Sequence, residues 1–132
     1  DWGYRSDGIP VRLFGAWTTL PAGPAALAAK TGSRIVPIGV QRRPDGRTFR
    51  IAVGEPIDVA SGSAADQLAA TQAIAEALEA SIAAAPSQWY SFKPIWPSDP
   101  AEAADLERRA TEMAADHGPA SRAGVDAEAA PA

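Results

Sequence analysis

Cysteine and asparagine are both absent from this chain of 132 residues, and histidine and methionine occur once each. The lack of cysteine excludes disulfide bonds, thiolate nucleophiles and cysteine–zinc sites. The lack of asparagine excludes N-glycosylation acceptors. With His117 as the single histidine, a metal site built on a histidine pair is excluded too. We therefore expect no bound metal and no resident cofactor.

Long apolar runs are also missing. No stretch of about 18 apolar residues occurs, so the sequence predicts no membrane-spanning helix. The apolar fraction is 46%, but 31 of these residues are alanines, each of which buries little surface. The larger apolar residues make only a marginal core for a stand-alone domain. We therefore expect one domain at most, whose strands need partners from a missing N-terminal half.

The charges are unevenly distributed along the chain, whose net charge is −4. Residues 1–50 carry eight basic and three acidic groups, whereas the segments 51–97 and 98–132 are both acidic. A basic first third is suited to anionic headgroups or phosphate. A solvated surface without a partner explains the modest excess equally well.

Residues 9–40 predict a strand, a Thr-rich loop, a short helix and a second strand. The strands are expected at 9–14 and 35–41. The helix is expected at 23–31, with Gly23 at its N-cap and Gly32 just past its end. A strand–helix–strand path of this kind fits a right-handed parallel crossover.

The loop before this helix is a candidate anion site. A helix N-terminus presents free backbone N–H groups and a partial positive charge, which suit phosphate or carboxylate. Thr18, Thr19 and the Gly23 amide are the best candidates, followed by Arg42 and Arg43. The alternative is an ordinary capped strand–helix unit without a ligand.

The remainder of the chain divides into four segments. Residues 35–54 predict a hairpin around Pro44-Asp45-Gly46, and 64–85 predict a helix that Ser63 caps and Pro86 ends. One stripe of this helix is expected to pack inward. Residues 87–97 are rich in aromatic side chains, which either cover the core or sit at lipid headgroup level. Residues 98–117 predict an exposed helix, and 118–132 a disordered tail.

The order and spacing of several short motifs resemble a known bacterial family. These motifs are Phe14-Gly15, Thr18-Thr19, Gly23-Pro24-Ala25, Leu27-Ala28, Thr31-Gly32, Val36-Pro37 and Pro86-Ser87-Gln88-Trp89-Tyr90. Together they resemble the C-terminal half of the lysophospholipid acyltransferase superfamily. The similarity is strongest to the branch of the lipid A lauroyl acyltransferases and phosphatidylinositol mannoside acyltransferases, and it covers residues 1–97.

This resemblance implies a fold and an activity. The fold would be α/β, a partial mixed sheet flanked by helices that forms the C-terminal portion of an acyltransferase domain. The whole enzyme would move a fatty acyl chain from acyl-CoA or acyl carrier protein, as co-substrate, to a hydroxyl of a glycolipid or lysophospholipid. It would act peripherally on the cytoplasmic face of the cell membrane, with no nucleic acid partner. A non-catalytic lipid- or anion-binding module is the alternative.

The resemblance also implies that the reactive residues lie outside this chain. The family supplies a His and, after four intervening residues, an Asp, whereas Arg122 stands at that spacing from His117. No residue here is therefore expected to be catalytic, and the chain alone is expected to be inactive.

Acceptor contacts are expected in the loop after the Phe-Gly strand. Ala16 and Thr19 stand there at positions that are often charged in the family. Asp1 matches the first acid of an Asp-x-Asp motif common in the family, but Gly3 replaces the second. Asp1 therefore completes the set of candidate substrate-binding residues.

Overall fold

The structure is a computed structural model that describes residues 4–118. The first two strands, β1 (Ile9–Leu13) and β2 (Ala16–Leu20), form an antiparallel hairpin. Its two-residue turn consists of Phe14 and Gly15, both with positive φ, as a hairpin turn that follows the twist of its strands requires. The prediction of a Thr-rich loop after the first strand is therefore wrong, because these residues form a second strand.

A short helix and a second hairpin follow. Helix α1 (Gly23–Thr31) ends at Gly32, whose φ of 69° confirms the predicted left-handed cap. Strands β3 (Ile38–Arg42) and β4 (Phe49–Val53) pair antiparallel, which confirms the predicted hairpin. Asp45 closes its turn, accepting hydrogen bonds at Oδ1 from the amides of Arg47 (2.9 Å) and Thr48 (3.0 Å).

Two helices complete the described chain. Helix α2 (Ala64–Ala84) begins where predicted, with the Ser63 hydroxyl accepting a hydrogen bond from the Asp66 amide. A single 3₁₀ turn (Pro86–Gln88) follows it. Helix α3 (Pro100–Ala115) begins at Asp99, whose side chain accepts a hydrogen bond from the Ala101 amide. The predicted disordered tail lies outside the described residues, apart from Gly118.

The α/β class is confirmed, but the described strands form two separate two-stranded antiparallel sheets. The predicted parallel pairing of the first strand with the strand after the helix is wrong. Each strand pairs with its immediate neighbour in sequence, because the tight turns at Phe14-Gly15 and around Asp45 allow local antiparallel pairing. No single mixed sheet exists within residues 4–118.

The core lies between the β1–β2 sheet and the two long helices. Its centre consists of Ile9, Val11, Leu13 and Ala75, and the partly buried Leu20, Leu68, Ile95, Trp96 and Met113 pack around it. The predicted inward stripe of α2, from Leu68 to Ile82, is confirmed at Thr71 and Ala75, which are fully buried, whereas Leu78, nearer its C-terminal end, is 42% exposed. None of the residues of β3 or β4 is buried.

Helix α3 packs more tightly than its composition suggests. Most of its side chains are exposed, as predicted, but Leu106 is 1% exposed and Ala110 is also buried. Arg109 binds the helix to the loop before β1, donating hydrogen bonds to the carbonyls of Ser6 (2.6 Å) and Gly8 (2.7 Å). One buried face of α3 therefore belongs to the core.

We expect Leu106→Ala to lower the free energy of unfolding by about 2–4 kcal/mol, because it leaves a cavity among buried side chains. Chemical denaturation with circular dichroism measures this loss. Leu27→Ala is the matched control: Leu27 also lies in a helix but is 63% exposed, so the change is expected to be small. Equal losses in the two variants would show that α3 is not part of the core.

Candidate functional site

Thr18 and Thr19 are fully buried on strand β2. The Thr18 hydroxyl donates a hydrogen bond to the carbonyl of Ile95. The Thr19 hydroxyl donates to the carbonyl of Arg5 and accepts from the Arg5 amide at 3.4 Å. These hydroxyls join β2 to the backbone at Arg5 and Ile95, so the geometry gives no support for their contact with an anion.

Gly23, in contrast to the two threonines, is exposed. It is the first residue of α1, whose N-cap is Ala22 rather than Gly23, and no side chain caps this end. A Cβ added at Gly23 would meet no heavy atom within 4 Å. The structure therefore does not bring Gly23 and the two threonines together into one pocket, and anion binding at Gly23 stays a prediction. Asp1 lies outside the described residues.

Arg42 and Arg43 lie at the end of β3, beside an open groove of about 500 Å³. Phe49, Gln88 and Tyr90 contribute to its walls. The Arg42 guanidinium stands 5.6 Å from the centroid of the Phe49 ring, a cation–π distance. Within residues 4–118 no carboxylate lies within ion-pair distance of Arg42 or Arg43. These two positive charges are therefore available to an external anion.

Arg34, a third cation of the basic first third, already has a partner. Its guanidinium donates two hydrogen bonds to the Asp58 carboxylate, at 2.7 and 2.8 Å. These bonds lower the pKa of Asp58 below its ordinary value and raise the pKa of Arg34. Both side chains are exposed, so the pair adds little stability, and it removes Arg34 from the cations that could meet a ligand.

A second concave feature lies between the β3–β4 hairpin and α2. It is a cavity of about 460 Å³ whose walls are mainly apolar. Its lining includes Ile35, Pro37 and Gly39 from the hairpin side and Ile74, Ala77 and Leu78 from α2. Volumes of 300–1,000 Å³ with apolar walls are typical of small-molecule sites. We call this feature the apolar cavity.

Close approach of the hairpin to α2 forms one end of the apolar cavity. A Cβ on Gly39 would lie 2.6 Å from the Ser81 Oγ, so only glycine fits there without displacement of Ser81. The Gln41 side chain donates a hydrogen bond to the Ser81 carbonyl at 3.0 Å. The small residues Gly39 and Ala77 are the sequence signal that could have indicated this cavity, but no local pattern tells where a hairpin docks on a helix.

The aromatic segment 87–97 covers the core in part, as one of its two predicted roles requires, whereas its placement at lipid headgroup level stays a prediction. The Trp96 indole donates a hydrogen bond to the Leu13 carbonyl at 3.2 Å, and Trp96 packs against the core. Trp89 packs edge-on to Trp96, with a centroid distance of 6.3 Å. Tyr90 and Phe92, by contrast, are 74% and 87% exposed. The segment therefore covers the core at one end and presents aromatic rings to solvent at the other.

His117 is exposed just after the end of α3. Arg122, which stands at the spacing where the family places its acid, lies outside the described residues. Within the described part of the chain, no helix is both long enough and apolar enough to cross a bilayer.

Comparison with known proteins identifies the family to which the chain belongs. Residues 3–98 match the sequence profile of the bacterial lipid A biosynthesis acyltransferases. This match covers most of the chain, so the chain belongs to that family. The resemblance indicated by the sequence motifs is thereby confirmed.

Two individual members of the family are also similar to this chain. The chain is 38% identical over 104 residues to a phosphatidylinositol mannoside acyltransferase of Mycolicibacterium smegmatis, a match that covers 79% of this chain and 31% of the relative. It is 35% identical over 102 residues to a protein of the same name from Mycobacterium tuberculosis, covering 77% and 31%. The chain therefore spans about a third of the length of the curated relatives that it matches.

We expect Thr18→Val to lower the free energy of unfolding by about 1–3 kcal/mol, because the Ile95 carbonyl loses its buried hydrogen-bond donor. Denaturant titration measures this change. Thr48→Val is the control, since the Thr48 hydroxyl bonds the exposed Asp45 carboxylate at 2.6 Å and its loss is expected to cost less than about 1 kcal/mol.

A role in anion binding would give a different pattern for the same variant. In that case Thr18→Val would abolish a rise in Tm on addition of inorganic phosphate while leaving the ligand-free Tm unchanged. That pattern would contradict the structural role of Thr18.

Proposed function

We propose that this chain forms the acyl-chain-binding part of an enzyme that transfers a fatty acyl group to a lipid hydroxyl. Acyl-CoA or acyl carrier protein would supply the acyl group, and a glycolipid or lysophospholipid would accept it. Membership of the acyltransferase family supports the reaction type. The observation that carries the proposal further is the apolar cavity between the β3–β4 hairpin and α2.

The apolar cavity fits a hydrocarbon chain better than a polar ligand. Ile35, Ile74 and Leu78 line it, and Leu78 is 42% exposed although it is a large apolar side chain. Moving a CH₂ group from water into such surroundings contributes about 0.8 kcal/mol. Several methylenes of an acyl chain would therefore bind here without any ionic contact, which leaves the thioester end free to reach the reacting groups.

The groove at Arg42 and Arg43 is suited to the charged end of a lipid. A phosphate-bearing headgroup would find two unpaired guanidinium groups there, beside the Tyr90 ring. Guanidinium groups bind phosphate oxygens in a bidentate manner. We place the anionic headgroup of the acceptor, or of a surrounding membrane lipid, in this groove.

The chemical step requires a general base that removes the proton of the acceptor hydroxyl as the oxygen attacks the thioester carbonyl. The C–S bond then breaks, and the donor leaves as a thiol that takes up this proton. The single histidine, His117, is exposed beyond α3 and lines neither the apolar cavity nor the arginine groove. We therefore assign the base and its orienting carboxylate to the part of the enzyme that corresponds to the other two thirds of the relatives.

Tyr90, Phe92 and Lys93 support a peripheral position on the membrane. Among residues 4–118, Tyr90 and Phe92 are the most exposed of the large aromatic side chains, and Lys93 follows directly. Aromatic rings and a cation of this kind favour the headgroup layer. We propose contact with the cytoplasmic leaflet through this segment.

The second candidate function is a non-catalytic module that binds lipids or anions without any further part. The unpaired charges of Arg42 and Arg43 favour it, since they would bind an anion in the absence of chemistry. The two candidates differ in whether acyl transfer occurs in the complete protein.

We expect residues 1–132 to bind a fluorescent fatty acid, and Ala84→Phe to weaken that binding about tenfold, because Ala84 lines the apolar cavity. Titration of the probe against the purified chain measures the affinity. Ala83→Phe is the matched control: Ala83 is an exposed alanine in the same helical turn but does not contribute to the cavity walls.

Equal binding by Ala84→Phe and Ala83→Phe would contradict the assignment of the apolar cavity to the acyl chain. Acyl transfer by residues 1–132 alone would contradict the assignment of the base to another part of the enzyme. Absence of acyl transfer by the complete protein would favour the binding module.

We expect the double variant Arg42→Gln/Arg43→Gln to bind vesicles of phosphatidylglycerol and phosphatidylcholine about 30-fold more weakly, at about 1 kcal/mol per basic residue. Vesicle co-sedimentation measures the partition coefficient. Arg108→Gln is the control, because the Arg108 guanidinium already bonds Asp105 and Glu112 on α3. Unchanged partitioning of the double variant would contradict a headgroup site in this groove.

A further inference from the structure

The β3–β4 hairpin has two faces, one of which is turned toward α2 across the apolar cavity. Gly39 and Gln41 lie on this inner face, where both approach Ser81. The opposite face, which we call the outer face, consists of the Arg42 side chain and five large apolar side chains that are 56–67% exposed: Ile38, Val40, Phe49, Ile51 and Val53. Such a contiguous apolar patch on an isolated domain indicates an interaction site.

The outer edge of β3 is open beside this face. Backbone hydrogen bonds from Arg43 to Thr48 (2.9 Å) and from Gly54 to Pro37 (2.8 Å) set the register of the hairpin. Because antiparallel pairs alternate, the backbone N–H and C=O groups of the even-numbered residues of β3 are directed away from β4.

One of these edge positions has a partner and two do not. At Arg42 the Gln88 side chain takes the place of a neighbouring strand: its Oε1 accepts from the Arg42 amide at 2.7 Å and its Nε2 donates to the carbonyl at 2.9 Å. Among the described residues, no hydrogen bond reaches the outward backbone groups of Ile38 or Val40. An unpaired strand edge of this kind is a template for strand addition.

The combination of an apolar face and an open backbone edge distinguishes a protein partner from a lipid one. Lipid tails would satisfy the outer face, but they offer no hydrogen-bond partner to the Ile38 and Val40 backbones, and an unsatisfied group in hydrocarbon costs several kcal/mol. A protein strand beside β3 would pair with these backbone groups, and its apolar side chains would cover the outer face. The curated relatives are about three times as long as the segment that they share with this chain, so about two thirds of their length lies outside it and is the natural source of such a strand.

We propose that the outer face and the open edge of β3 are the docking surface for the remaining part of the same acyltransferase domain. In the complete protein a strand pairs with β3 at Ile38 and Val40, and apolar side chains cover Ile38, Ile51 and Val53, at the end of the outer face opposite the groove at Arg42 and Phe49. This inference rests on the proposed function only in taking the complete protein to be a longer acyltransferase; it does not depend on the acyl-chain or headgroup assignments.

The test uses the full reading frame that contains these 132 residues, compared with residues 1–132 alone. We expect the amides of Ile38 and Val40 to exchange with deuterium at least about tenfold more slowly in the complete protein, because they become hydrogen-bonded there. We expect Ile51→Lys to leave the Tm of residues 1–132 nearly unchanged, since Ile51 is 65% exposed, but to lower the Tm or the soluble yield of the complete protein markedly.

Ala104→Lys is the matched control for the introduced charge, because Ala104 is exposed on α3 beyond the residues that match the family profile. Ala104→Lys is expected to change neither the Tm nor the soluble yield of either protein. The exchange measurement uses the unaltered protein, so it remains decisive if Ile51→Lys fails to fold.

Three results would overturn the proposal. They are unchanged exchange at Ile38 and Val40, a complete protein that dimerises through the outer face, and vesicle binding by the complete protein that Ile51→Lys abolishes. An acyl-transfer assay on the complete protein tests the proposed function separately from the docking surface. If the amides are protected but no acyl transfer occurs, the docking surface is supported and the proposed function is contradicted.

Discussion

Burial of the β1–β2 sheet against α2 and α3 is the interaction on which the remainder of the structure depends. Val11 is completely buried at its centre, and the Gln72 side chain of α2 bonds both backbone groups of Arg12, accepting from the amide at 2.9 Å and donating to the carbonyl at 3.1 Å. Gln72 thus occupies the edge of β1 as a further strand would. This unit holds α2 in place, and α2 in turn supplies one wall of the apolar cavity.

The β3–β4 hairpin depends on different forces, because no residue of either strand is buried. It is held by its own ladder, by the Asp45 turn and by contacts at Ser81 and Gln88. The same weak attachment leaves a cavity of about 460 Å³ toward α2 and an uncovered apolar face on the other side. Both features have one cause: a hairpin whose composition is that of an interior strand pair contacts few partners within this chain.

Glutamine side chains limit the open edges of both sheets. Gln72 pairs with β1 at Arg12, and Gln88 pairs with β3 at Arg42, each through both its carbonyl oxygen and its amide nitrogen. A primary amide reproduces the donor and acceptor of one peptide unit, so each glutamine satisfies backbone groups that would otherwise be bare. Ile38 and Val40 have no such side chain, so among the described residues their outward backbone groups have no hydrogen-bond partner.

The sequence by itself determined what depends on neighbours along the chain: the Ser63 cap of α2, the left-handed Gly32, the Asp45 turn and the family. These features follow from local backbone preferences and from the order of motifs, both of which can be recognised in the amino-acid sequence alone. Only the tertiary structure decided that Thr18 and Thr19 are buried, that Leu106 joins the core and that a cavity separates the hairpin from α2. The Phe14-Gly15 turn lacks the usual Asn-Gly or Asp-Gly signal, and the packing of a strand or helix depends on residues far away in sequence, so local patterns could not determine either.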